Sequence, residues 1–96
     1  MYARTSTWTG SADALERWAE HVAESVAPMV AGLAGNVGAY FFVDREGGRA
    51  LTLTLWESED AAAATDRTAD QSRERTVAAT GVELERRGRY AVVAKA

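Results

Sequence analysis

An α+β fold, with a four-stranded antiparallel sheet and two helices on one of its faces, is what this sequence predicts. Three observations carry that expectation. The apolar period switches back and forth between two residues and about 3.6 along the chain. Glycine and serine clusters stand at the switches. Residues 51–56 alternate Leu51, Leu53 and Leu55 with Thr52, Thr54 and Trp56, the pattern of a strand with two unlike faces.

The elements follow in order. Residues 2–9 are rich in Thr and aromatics and read as a strand. Gly10 and Ser11 break it, and Ser11 is placed to cap a helix with Asp13 in its first turn. Leu15, Trp18, Val22, Val26, Met29, Val30 and Leu33 then recur at helical spacing. Pro28 is expected to end or kink this helix near Ala27. Gly32, Gly35 and Gly38 surround a turn into a second strand over 37–44. Residues 45–48, Arg-Glu-Gly-Gly, make a hairpin loop into the third strand, 49–56. Ser58 caps a second helix over 59–80, a run without Pro or Gly that Gly81 closes. Residues 82–95 hold a last strand centred on Tyr90, Val92 and Val93. The order is β-α-β-β-α-β, the ferredoxin-like arrangement, in one domain spanning 1–96.

Composition excludes several function classes. Cysteine is absent and there is one histidine, so neither a disulfide framework nor a multi-histidine metal centre is expected. A net charge of −3 argues against duplex binding, and RALTLTLW lacks the aromatic signature of an RNA-recognition strand, so no nucleic-acid partner is expected. No apolar run is long enough to cross a membrane, and the chain is expected to be cytoplasmic. Gly32-x-x-Gly35-x-x-Gly38 follows a helix and opens a strand, the reverse of a dinucleotide loop. No G-x-S-x-G elbow supports a hydrolase.

Core material is scarce. Of 45 apolar residues 20 are Ala, which leaves 25 larger ones for a domain of high surface-to-volume ratio. Two helices cover only one face of such a sheet. If Leu51, Leu53 and Leu55 meet the helices, then Thr52, Thr54 and Trp56 face away. Trp8 and one of the pairs Tyr40/Phe42 or Phe41/Val43 would join them. Burying about 150–250 Å² per aromatic at roughly 25 cal/mol/Å² contributes several kcal/mol, comparable to the stability of a small domain. A second copy of the sheet is the expected cover, giving a homodimer packed sheet to sheet.

At this point the chain resembles the dimeric α/β-barrel superfamily, and within it the antibiotic-biosynthesis-monooxygenase-like group. The likeness is carried by Gly35-x-x-Gly38 before the second strand and by the Asp44–Gly48 hairpin. It is strongest at the strand end Leu53-Thr54-Leu55-Trp56-Glu57-Ser58, which runs directly into Glu59-Asp60-Ala61. The resemblance implies a barrel of two subunits, each with a ligand cavity between sheet and helices. It implies activities that include cofactor-free oxygenation of aromatic quinols or anthrones, haem degradation and the processing of aldehydes or signal molecules. The haem-degrading branch is disfavoured. It places Asn on the first strand and Trp and His on the second long helix, where this sequence has Ala3, Thr65 and Arg75.

Several residues are candidates for chemistry. The stripe Ala61, Thr65, Ala69, Ser72 and Thr76 gives the second helix an inner face of small side chains. Such a face either packs close on the sheet or leaves a cavity walled by methyls and hydroxyls. Arg75 lies near its edge, has no carboxylate three or four residues away, and could hold a phenolate or carboxylate. Arg4 could do the same, from an expected rim position. Trp56 and Trp8 could contact an aromatic ligand or anchor an interface, and Trp18 belongs to the core. His21 could act as a base, but it lies off the apolar stripe among Arg17, Glu20 and Glu24 and is expected to be solvated. The expected pocket is therefore Thr5, Trp56, Thr65 and Arg75. It would bind a small aromatic metabolite for oxygenation without cofactor or metal. The competing expectation is a dimeric ligand-binding or interaction module without catalysis.

Overall fold

The computed structural model describes all residues, Met1–Ala96. Its elements are β1 (Tyr2–Thr9), α1 (Ala12–His21), a π-helical turn (Val22–Val26), α2 (Ala27–Ala31), β2 (Asn36–Asp44), β3 (Arg49–Trp56), α3 (Glu59–Ala63), α4 (Asp66–Thr80) and β4 (Glu83–Ala91). The strands form one antiparallel sheet in the order β2-β3-β1-β4, so the arrangement is ferredoxin-like. No helix is long and apolar enough to cross a membrane.

Local chemistry sets the helix ends. The hydroxyls of Ser11 and Ser58 accept from the amides of Ala14 (3.2 Å) and Ala61 (3.1 Å), satisfying helix N-termini. Gly81 ends α4 in the left-handed conformation with φ 81°, and its amide donates to Val77 O. Pro28 does not stop the first helical run. It lacks an N–H, and its ring would crowd the carbonyl four residues back. The wide turn just before it, closed by the Ala27 amide on Val22 O, absorbs that demand, and Pro28 then sits in the first turn of α2. The second helical run breaks at Ala64 and Thr65 into α3 and α4. Strand β4 ends at Ala91, so Val92 and Val93 lie beyond it.

The two faces of the sheet are the reverse of the conditional expectation. Trp8, Thr52, Thr54 and Trp56 face the helices, whereas Leu51, Leu53 and Leu55 face the open side. Register brings Tyr40 and Phe42 beside Leu53 and Leu51, and Thr5 beside Leu53 and Gly88. The physical reason is volume and hydrogen bonding together. Two indoles fill the space beneath the small side chains of α4. Their N–H groups find acceptors on the same face, Trp8 on Thr52 Oγ1 (3.2 Å) and Trp56 on Thr54 Oγ1 (2.9 Å).

The core lies toward one end. Trp8, Ala14, Leu15, Trp18, Val22, Ala50 and Val82 cluster under α1, with Phe41 and Val43 packed against them. Beneath α4 no such cluster forms, and a cavity remains there.

Candidate functional site

Alternation along β1 puts Arg4, Ser6 and Trp8 on the helix face, with Thr54 and Trp56 of β3 beside them. On α4 the residues facing them are Thr65, Thr68, Ala69, Ser72, Arg73 and Thr76, all small apart from Arg73. Val22, Val26, Met29, Val30 and Leu33 close the third side, from the π turn through α2. The space between is a cavity of about 60 Å³, room for about two waters at roughly 30 Å³ each.

Arg4 is the charge at its wall. The residue is only 8% exposed, so it cannot rely on water for its bonds. Its Nη1 donates to Thr65 Oγ1 (3.1 Å), and its Nη2 donates to the Ala62 carbonyl and to Asp66 Oδ1 (2.7 Å). Its guanidinium carbon lies 5.4 Å from the centre of the Trp56 ring, a cation–π contact. Burial lowers its pKa from the ordinary guanidinium range, against the attraction of Asp66. Those bonds leave Nε–H and one Nη1 N–H of the five guanidinium donors free for a ligand oxygen.

Two further features concern this wall, one on it and one behind it. Trp18 is 1% exposed and its indole N–H has no hydrogen-bond partner, unlike those of Trp8 and Trp56. His21 is half-buried rather than solvated. Its Nε2 lies 3.1 Å from Thr76 Oγ1, whose own proton goes to the Ser72 carbonyl. Arg4 and Arg73 are the only ionisable side chains on the cavity wall. Nowhere in the chain do three or more His, Cys, Asp or Glu side chains converge as a metal site would require.

The structure brings together two of the four expected pocket residues, Trp56 and Thr65, at this wall. The other two are corrections. Thr5 lies on the opposite face of the sheet, because side chains alternate and its neighbours Arg4 and Ser6 take the helix side. Arg75 is exposed on the outside of α4. Its place belongs to Arg73, four residues after Ala69 and three before Thr76, with a side chain 14% exposed. Arg4, expected at a rim, is buried. Its signal was strand parity with Ser6 and Trp8. The stripe Thr65, Ala69, Ser72 and Thr76 lines a cavity, so its small side chains leave space; Ala61 instead lies close to Gly35.

A family model for antibiotic biosynthesis monooxygenases matches residues 1–73. The chain belongs to that family. An uncharacterised protein of Mycobacterium tuberculosis, with the same figures in strains H37Rv and CDC 1551, is 31% identical over 61 residues. The match covers 64% of this chain and 27% of the relative, so the chain spans about a quarter of that protein's length. Among solved structures of the same fold, a candidate antibiotic biosynthesis monooxygenase from Deinococcus radiodurans gives a TM-score of 0.77 at 15% identity, covering 100% of this chain and 96% of that one. SnoaB from Streptomyces nogalater, a cofactor-independent oxygenase, gives 0.70 at 16% identity as a single-substitution variant, covering 98% and 94%. The ActVA-Orf6 monooxygenase of Streptomyces coelicolor, solved with nanaomycin D, gives 0.70 at 15% identity over 98% and 92%. At such identities the likeness is one of fold.

Proposed function

We propose that the protein is a homodimeric, cofactor-independent oxygenase of a small aromatic metabolite of quinol or anthrone type. The observation that carries this reading is the cavity between sheet and α4. It is walled by three indoles and a stripe of methyls and hydroxyls, with one buried guanidinium. Membership of the monooxygenase family supports the reaction class. Association in pairs is supported by the open sheet face, where Tyr40, Phe42 and Tyr90 are each about half exposed and Tyr40 stacks on Phe42.

In this reading a hydroxylated anthrone gives up a proton from its ring methylene. The carbanion passes one electron to O₂, and the resulting radical pair joins at that carbon as a peroxide. Loss of water leaves the quinone carbonyl, so one O₂ yields one C=O and one H₂O. Arg4 donates to the enolate oxygen, holding charge as it develops in a dry site. With the His21 proton on Nδ1, Nε2 is free to accept: Thr76 turns its proton from Ser72 O to His21 Nε2 and passes it there as its oxygen takes the substrate proton. A three-ring ligand needs several times the present 60 Å³, since such pockets run to about 300 Å³ or more. Binding therefore moves side chains, Met29 foremost, whose thioether chain adapts most readily.

A second reading, a binding module without catalysis, is favoured by the lack of any carboxylate or imidazole on the cavity wall. Oxygen uptake separates the two. With a hydroxylated anthrone in chelator-treated buffer, uptake is expected above the spontaneous rate. It should fall about tenfold or more in Thr76→Val, which keeps the side-chain shape, and in His21→Gln. Binding without uptake would favour the module, and no binding would sink both readings.

A further inference from the structure

We infer that the ligand taken by the cavity carries a carboxylate, which passes the cavity wall and settles in a second, arginine-lined recess beside it. The inference rests on the reading of the cavity as an aromatic-metabolite site and names the class of that metabolite, an aromatic acid.

The recess is a separate space of about 400 Å³ between α4 and β4 with no apolar residue in its lining. Arg4 and Arg73 line both it and the cavity, so their guanidiniums form the partition between an apolar compartment and a charged one. Strand parity supplies the rest. Arg87 and Arg89 stand on the helix side of β4, opposite Ser6 and Arg4 in the register. Helix α4 supplies Asp66 and Asp70 one turn apart.

Charge in the recess is not balanced. Asp66 is shared by Arg4 (2.7 Å) and Arg89, and Asp70 by Arg73 and Arg87 (3.6 Å). Within the lining four guanidiniums therefore meet two carboxylates, with Glu74 beside Arg73 and Arg87 and Glu59 near Arg89 just outside it, in a chain whose net charge is −3. Each guanidinium is ion-paired, but two share each carboxylate and so lie close enough to repel one another. Arg4 feels this repulsion: Arg89 and Arg73 add to the burial that lowers its pKa. An incoming carboxylate would relieve it, and a planar guanidinium takes a carboxylate through two parallel hydrogen bonds. Geometry orients the ligand as well. The ring system lies against the indoles, where Arg4 already stacks on Trp56, and the acid points outward past Arg4 and Arg73.

The test is a titration of the protein's tryptophan fluorescence with a matched pair of probes, anthraquinone-2-carboxylate and its carboxamide. Three indoles at the cavity wall make the signal local. The carboxylate is expected to bind about tenfold more tightly at low salt, with the advantage shrinking at about 0.5 M salt. In Arg87→Gln/Arg89→Gln, which alters recess residues that do not line the cavity, the advantage should vanish while carboxamide binding stays as it was. Should that double variant fail to fold, Arg87→Gln alone, at an exposed position, should weaken carboxylate binding about threefold or more and leave the carboxamide untouched. Equal binding of both probes to the unaltered protein would overturn the inference and leave the cavity reading standing. Quenching by neither would overturn the cavity reading, and the inference with it.

Discussion

At the scale of single residues, Arg4 and Asp66 link the charged recess to the cavity. The Asp66 carboxyl is held below its ordinary 3.8, first by the hydrogen bond from Arg89 and also by the charges of Arg89 and Arg4, against some desolvation. A depressed carboxyl contributes stability that is fully present above its unfolded value near 3.8 and is lost as pH falls through the folded one. Asp66→Asn is therefore expected to be less stable than the parent at neutral pH. The gap should narrow as pH falls below about 3.8, as followed by urea unfolding at pH 7 and pH 3. A gap as large at pH 3 as at pH 7 would mean that packing, not charge, was lost. Neither partner was fully legible in the sequence. Arg4 sits among polar residues of a strand, and a basic residue there reads as a rim position. Only its parity with Trp8, once Trp8 is known to face inward, puts it inside.

At the scale of elements, α4 decides whether a site exists. Its small-residue face was visible in the sequence, but a small face serves close packing and cavities equally well. What separates the two outcomes is the distance the helix keeps from the sheet. The indoles of Trp8 and Trp56 and the Arg4–Asp66 pair stand between them, so α4 cannot settle onto β1. Substitutions should report this contrast. Ala69→Val points a larger group into open space and is expected to cost under about 1 kcal/mol while abolishing quenching by aromatic probes. Ala62→Val, at a position 1% exposed in α3, is expected to cost about 1–3 kcal/mol by overpacking. Thermal unfolding of the two variants measures the difference. Thr65→Leu is a poorer probe, because the Thr65 hydroxyl accepts from Arg4 and donates to the Ala62 carbonyl. In the first helical run Pro28 was expected to end or kink the helix; the structure interrupts it with a single wide turn just before Pro28, which lets the chain continue and supplies Val22 and Val26 to the cavity wall.

At the scale of the whole molecule, the open sheet face is the surface through which the proposed pairing would run. Leu51, Leu53 and Leu55 form its centre, flanked by Tyr40 and Phe42 on one side and Tyr90 on the other. Leu53 lies between Tyr40 of β2 and Thr5 of β1 in the register, near the middle of the patch. Leu53→Asp is expected to convert a dimer to a monomer in native mass spectrometry while keeping the fold by circular dichroism, since a buried unpaired carboxylate is strongly disfavoured at an apolar interface. A parent protein that is already monomeric would remove the pairing. The cavity lies on the other face and would survive that result, so the functional proposal and the oligomeric one can fail separately.

The sequence by itself determined the element order, the capping serines, the closing Gly81, the small face of α4 and the lack of material to cover both sides of the sheet. Each of these is written in local spacing or in composition, and neither depends on what lies across the fold. Only the tertiary structure decided which parity of each strand turns to the helices. A two-residue alternation defines two faces without saying which one is inside, and a shift of one position exchanges them. That choice put Arg4 at the cavity wall and Thr5 on the open face. The face that α4 turns to the sheet likewise brought in Arg73 and left Arg75 exposed. Indole volume and the threonine acceptors for the N–H groups of Trp8 and Trp56 settled the matter, and these are long-range contacts that spacing along the chain does not encode.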